Sequence, residues 1–406
     1  MKRISLLWLI VAAALVCATA PSSYAQEPQG EQPLPGYSKS IPLRNLDTGE
    51  TMTPSAAIAA VNAASTSTIP LFNYSLTSPV DSHTYTGMIV GRNPLFHGAR
   101  TTSVPTIVIP VILKISINGG GGTDTYDPTA LDPSCSPSGS ALTLEQNSPI
   151  FNASDIHMGG VDIGNTTYPD AFQRGEFWSN VSVTGNAFHT LLAASTVSAV
   201  TVTVPPADGQ SYPPSAFSNT PCEHLGVLDV NYVNNTLLPG LISSLASTGV
   251  GPTTFPLFLI YNVVMGAPGT SPFSNCCILG FHSGFQKQGQ GPQFYGITDF
   301  DTTGFFGGDI SVTTHEISEL LNDPIGNNAT PEWGHIGQVP GCQPNLEVGD
   351  PLTGTFFPAI TMNSFTYHPQ ELVFFSWFFR QSPSLGVNGW FSDNGTFTSS
   401  QSTVCQ

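Results

Sequence analysis

The sequence predicts an α+β fold, and three observations carry that prediction. Apolar strand-like runs and amphipathic helix candidates are mixed along the chain, with no internal repeat. Hydrophobic residues make up 40% of the 406, enough to fill a core, while only 9% are charged. Gly, Pro, Ser, Thr and Asn are abundant, as in loop-rich exported proteins. A chain of this length can form one large domain or two.

The elements follow in chain order. Lys2 and Arg3 precede an apolar run from Leu6 to Ala18 and then Ser23-Tyr24-Ala25, so residues 1–25 read as a secretory signal. The run is too short for a comfortable membrane span, and Val16 before Cys17 is a poor lipoprotein signal. Export as a soluble extracellular or periplasmic protein is expected, without membrane contact after signal cleavage. Residues 26–68 read as an N-terminal arm, loose and Pro/Gln/Gly-rich to about 50, with a short Ala-rich helix in Ser55–Ser65. Residues 69–406 form the main domain. "HTYTGMIVG" and "TIVIPVILKISI" read as strands, the second placed at an edge or bulge by Pro110. "GGGGTDTYDPTALDPS" reads as a loop. "YPDAFQRGEFWSNV" sets Ala171, Phe172, Trp178 and Val181 on one helical face, and "LGVLDVNYVNNTLLPGLISSL" reads as a second amphipathic helix. "TFPLFLIYNVVM" is a buried strand and "FYGITDF" another. Beyond Phe356 the chain reads as strands and turns, with the aromatics of "ELVFFSWFFRQ" in the core.

Charge and cysteine content narrow the function classes. Without the signal, eight basic residues face 27 acidic ones, a formal charge of −19, which argues against nucleic acid and anionic membranes as partners. Cys135, Cys222, Cys276, Cys277, Cys342 and Cys405 suit up to three disulfides; connectivity is open, and the adjacent Cys276 and Cys277 are expected to take different partners. Gly119–Gly122 lacks the Lys-Ser/Thr of a phosphate loop, and no Gly-x-Ser-x-Gly turn is present.

One segment carries chemistry: "DISVTTHEISELLNDP", Asp309 to Pro324. Asp309 is the expected N-cap, and Pro324 ends the helix. His315 and Glu319 are four apart, so their side chains share one face about a turn apart. Zinc, with bonds of only ~2.0–2.2 Å to N and O, needs such closely set ligands. Glu316 occupies the position of the general base in HExxH enzymes. A solvated helix face that happens to spell HExxE is the plainer alternative. Downstream, Glu332, His335, Glu347 and Asp350 are candidate third ligands; Asp350 could instead hold the second ring nitrogen of His315. His282 reads either as a strand-end histidine bonded to backbone or as a group facing the metal. Asp323 reads as a turn-former, and Arg174 as half of a buried ion pair.

"CCILGFHS", "HEISELLNDP", Trp333, "LEVGDPLTG" and "YPDAFQRGEFW" resemble a family of secreted bacterial zincin-like HExxE proteins, distantly similar to the plant exordium (phosphate-induced) proteins. The likeness spans Tyr168 to Gly354. It implies a zincin-like metallopeptidase core, an active-site helix packed on a mixed sheet with β-rich N- and C-terminal parts. It also implies Zn2+ on His315, Glu319 and Glu347, Glu316 as catalytic base, and a peptide or protein substrate. Glu319 stands where HExxH has its second histidine. The competing class is a non-catalytic extracellular protein, binding cell wall or carbohydrate and keeping the metal as a clip.

Overall fold

The computed structural model describes residues 41–64, 68–96, 100–183, 185–217, 221–266, 276–287, 289–304, 306, 308–400 and 405. The signal reading and the first part of the arm lie outside these residues. The described part is α+β. Thr101–Ser116 (β1), His189–Thr196 (β2), Val200–Thr203 (β3), Phe255–Tyr261 (β4), Gly280–Gln286 (β5) and Gln293–Phe300 (β6) build the main sheet. The order runs β5, β6, β4, β1, with Arg44–Asn45 outside β5 and Thr123–Tyr126 beyond β1. β4 is parallel to both β6 and β1, whereas β5 is antiparallel to β6, so the sheet is mixed.

The run FPLFLIY forms β4 because both faces of the sheet are covered. Phe255, Leu257, Leu259 and Tyr261 enter one apolar cluster, and the alternate Phe258 and Ile260 enter another. Pro110 is not at an edge. It lies inside β1, opposite Leu259 of β4, at the gap between the stretch paired with β2, up to Val108, and the stretch paired with β3, from Val111. The ladder on that side needs no donor there, so the missing N–H costs nothing.

The longest described helices are Pro54–Ala63 (α1), Tyr168–Glu176 (α2) and Ser311–Asn322 (α3). α3 lies against β5, β6, α2 and the strand Thr84–Val90. Ile317, Leu320 and Leu321 of α3 enter the cluster lined by the first face of β4. The expected cap is displaced. Asp309 has φ 40° and its carboxylate binds the backbone N–H and Nδ1 of His368, while Ile310 precedes the helix without a side-chain cap.

Other expectations shift where tertiary pairing overrides local pattern. Leu225–Asp229 is a strand between Gly209–Tyr212 and Val263–Gly266, and helix begins only after Asp229, whose carboxylate accepts from the Asn231 N–H. Thr123–Tyr126, expected in a loop, pairs antiparallel with β1. The aromatic tail does enter the core, partly as the short helix Phe375–Phe378. The arm is packed from Ile41 onward. Leu43 is fully buried, its N–H donates to Ile325 O, its carbonyl accepts from Met52 N–H, and Arg44–Asn45 runs parallel to β5.

The disulfides are Cys135–Cys222, Cys276–Cys277 and Cys342–Cys405, so the two adjacent cysteines join each other, against expectation. Among the described residues, no helix is long and apolar enough to cross a membrane.

Candidate metal centre

The solvated-face alternative fails on burial: all twelve residues of α3 are buried, His315, Glu316 and Glu319 included. Taking an ionised carboxylate out of water costs several kcal/mol, so these groups require compensation from close by. Gly349 sits against His315, where a Cβ would strike the imidazole ring, and Gly280 of β5 lies against the Glu316 side chain. Two glycines therefore let strand and loop close onto the polar part of the helix.

Both imidazoles are held from outside and open toward the carboxylates. The Gln370 amide donates to Gly349 O at 2.6 Å, which turns its oxygen toward His315; Nδ1–H of His315 donates to that oxygen at 3.0 Å. Nε2 of His315 then faces Glu319 Oε1 at 3.1 Å and Asp350 Oδ1 at 3.5 Å, without a hydrogen bond of good geometry. His282, within β5, donates from Nε2 to Asp323 O at 3.0 Å. Its Nδ1 faces Glu316 Oε2 at 3.4 Å and Glu319 Oε2 at 3.6 Å. Metal-binding histidines are oriented by an outer partner on the second nitrogen in this way. Glu319 Oε1 also accepts the Gly349 N–H, Asn345 donates to Glu347 Oε1 at 2.7 Å, and Oε1 of Glu316 has no hydrogen-bond partner.

With protons as the only cations, the groups perturb one another strongly. Burial opposes charge on His315, but Glu319, Asp350 and Glu316 outweigh it and push the pKa well above the usual value. His282 is raised against burial by Glu316, Glu319 and Asp323. Burial raises Glu316, only partly offset by the two histidines, whereas in Glu319 the histidines overcome burial and lower the pKa. Burial and the Glu319 charge raise Asp350.

Five described sets of three His, Cys, Asp or Glu could hold a metal ion. In two of them the cysteines are oxidised to disulfides, and Asp155, His157 and Asp162 are exposed. The remaining two sets, His315–Glu316–Glu319 and His282–Glu319–Glu347, are buried, and in each the ligand atoms lie within 4.8 Å of one another. Inward lone pairs on two imidazoles, several carboxylates and an unpartnered Glu316 oxygen fit a divalent cation.

Each expected ligand has a definite place. His315 and Glu319 are together; Glu347 stands with Glu319 and His282, and Asp350 beside Nε2 rather than Nδ1 of His315. His335 and Glu332 are exposed, His335 next to Cys342, and both are outside these buried sets. Asp323 terminates α3, its carboxylate accepting from Asn328 N–H at 2.8 Å. Arg174 donates to the Ile163 and Phe188 carbonyls, while the Asp170 carboxylate takes His189 and Thr166; the expected ion pair is replaced by backbone capping. Gln370 was not foreseen: a glutamine in "HPQELVFF", 55 residues beyond His315, gives no sequence signal. A Ser211–His224–Asp124 cluster also forms, but Asp124 Oδ2 accepts from both Ser211 Oγ and His224 Nδ1, so no imidazole relays between serine and acid.

Fold and centre together define an α+β protein with a buried histidine–carboxylate cluster able to hold metal. No protein-family model matches the chain, and no curated protein or solved structure shows significant similarity to it.

Proposed function

We propose that this chain is a secreted zinc-dependent metallopeptidase with a zincin-like core, acting on peptide or protein substrates. The observation that carries the reading is the pair His315 Nε2 and Glu319 Oε1, 3.1 Å apart on one buried helix, with Glu316 next in sequence. These two residues would hold the zinc, completed by Glu347 or Asp350. A bound zinc ion supplies Lewis acidity, polarising a carbonyl and acidifying water. Glu316 takes the proton of the attacking water and returns it to the departing amine. Burial raises its pKa, which suits a group that must accept and release a proton. The resemblance of the HExxE blocks to a secreted bacterial family points the same way.

Complete burial favours a second reading, in which the metal is a structural clip in a non-catalytic extracellular protein. His315, Glu316 and Glu319 are 0–1% exposed, so a polypeptide needs a rearrangement to reach them. One substitution separates the readings. Glu316→Gln is expected to retain zinc through His315 and Glu319, by elemental analysis, and to lose at least a hundredfold in cleavage of a peptide library. Wild-type protein that carries zinc and cleaves nothing in that library sinks the peptidase reading and leaves the structural one.

A further inference from the structure

We infer that the centre binds two divalent cations, bridged by the carboxylate of Glu319. This rests on reading the cluster as a metal centre and goes beyond the single ion of that reading. The two oxygens of Glu319 address different imidazoles: Oε1 lies 3.1 Å from His315 Nε2, and Oε2 lies 3.6 Å from His282 Nδ1. Two buried sets of donors meet at this residue, His315–Glu316–Glu319 and His282–Glu319–Glu347, and Glu316 Oε2 also lies 3.4 Å from His282 Nδ1.

Distances distinguish cation ligation from hydrogen bonding. A charge-assisted N–H···O bond is about 2.7–2.9 Å long. Two donors on one tetrahedral ion with bonds of about 2.0–2.1 Å stand roughly 3.3–3.4 Å apart. His282 Nδ1 stands 3.4 Å from Glu316 Oε2 and 3.6 Å from Glu319 Oε2, and His315 Nε2 stands 3.5 Å from Asp350 Oδ1. All three separations are spaced as ligand–ligand edges; the first also counts as a long hydrogen bond, and the other two are longer still. Each inward nitrogen is freed for the role because the other nitrogen of its ring donates outward, to Asp323 O or to Gln370. The unpartnered, buried Oε1 of Glu316 is a further donor at the same place.

Charge counting agrees. With their protons displaced by metal, Glu316, Glu319, Glu347 and Asp350 would carry four negative charges beside two neutral imidazoles. One divalent cation would offset two of those charges, and a second would offset the other two. Paired ions of this kind stand about 3.5–4 Å apart and share a bridging group.

The test is zinc stoichiometry. Protein stripped with chelator is dialysed against ZnCl2 and its bound metal measured, alongside His282→Ala, His315→Ala and Glu319→Gln, each checked for folding by circular dichroism. Two equivalents are expected for wild type, one for each histidine variant and less than one for Glu319→Gln. Saturation at one equivalent in wild type, unchanged in His282→Ala, overturns the second ion and leaves the metallopeptidase reading standing. No bound zinc overturns both. Cobalt(II) titration of wild type guards against variants that fail to fold: the paramagnetic resonance signal is expected to be quenched by coupling at the second equivalent. A signal that simply doubles overturns the bridge.

Discussion

Gln370 does more for the centre than its position in an aromatic tail suggests. Its amide, fixed by Gly349 O, decides which nitrogen of His315 faces inward. Gln370→Leu keeps the volume and removes that control, so zinc affinity should drop about 10–100-fold while the fold persists; competition with a chromophoric chelator measures it. Glu145 presents a different buried acid. Burial raises its pKa to about 8, only partly offset by Thr313 of α3. The folded state therefore binds a proton more tightly than the unfolded chain does. The associated stability is fully present below about pH 4.5 and is lost as pH rises through about 8. Across that window the fall approaches 1.4 kcal/mol per pH unit, about the value of one pKa unit. Glu145→Gln should flatten this part of the urea-midpoint profile relative to wild type. Parallel profiles for the two proteins would rule the assignment out.

α3 is held by its apolar side as firmly as the metal reading requires. Ile317, Leu320 and Leu321 are fully exposed to the core and to no solvent. Leu320→Ala should cost about 2–5 kcal/mol in urea denaturation, with the upper end expected if the cavity cannot collapse. This helix was legible in the sequence, because HExxE has helical spacing and Pro324 gives a stop. The buried strands β4 and β6 were legible from their apolar runs. Leu225–Asp229 was not, since its helical pattern yields to strand partners on both sides. Pro110 misled for a related reason: its permissive gap is made by two other strands, β2 and β3. At the centre, sequence spacing brought out the candidate ligands that share α3. It left open the choice among Glu347, Asp350 and His335 and could not show Gln370, because chain separation hides which loop closes on the helix. The inward face of His282 was likewise invisible, being set by a backbone carbonyl at the far end of α3.

For the molecule as a whole, the centre ties β5, α3 and the loop bearing Glu347 and Asp350 into one unit. Ligand binding to the native state alone adds about 2.7 kcal/mol when free ion exceeds the dissociation constant a hundredfold. Chelation should therefore lower the melting temperature by several degrees and readdition of ZnCl2 restore it, as calorimetry can record; an unchanged melting curve would mean that no ion contributes to folding stability. A practical corollary concerns the outer margin of β5 itself, where Leu43 and Arg44–Asn45 lie along the strand. A cloning boundary drawn near residue 50, at the apparent end of the arm, would strip that cover. It would leave a bare strand margin open to edge-to-edge association between copies. Expression vectors for this protein should begin upstream of Ile41.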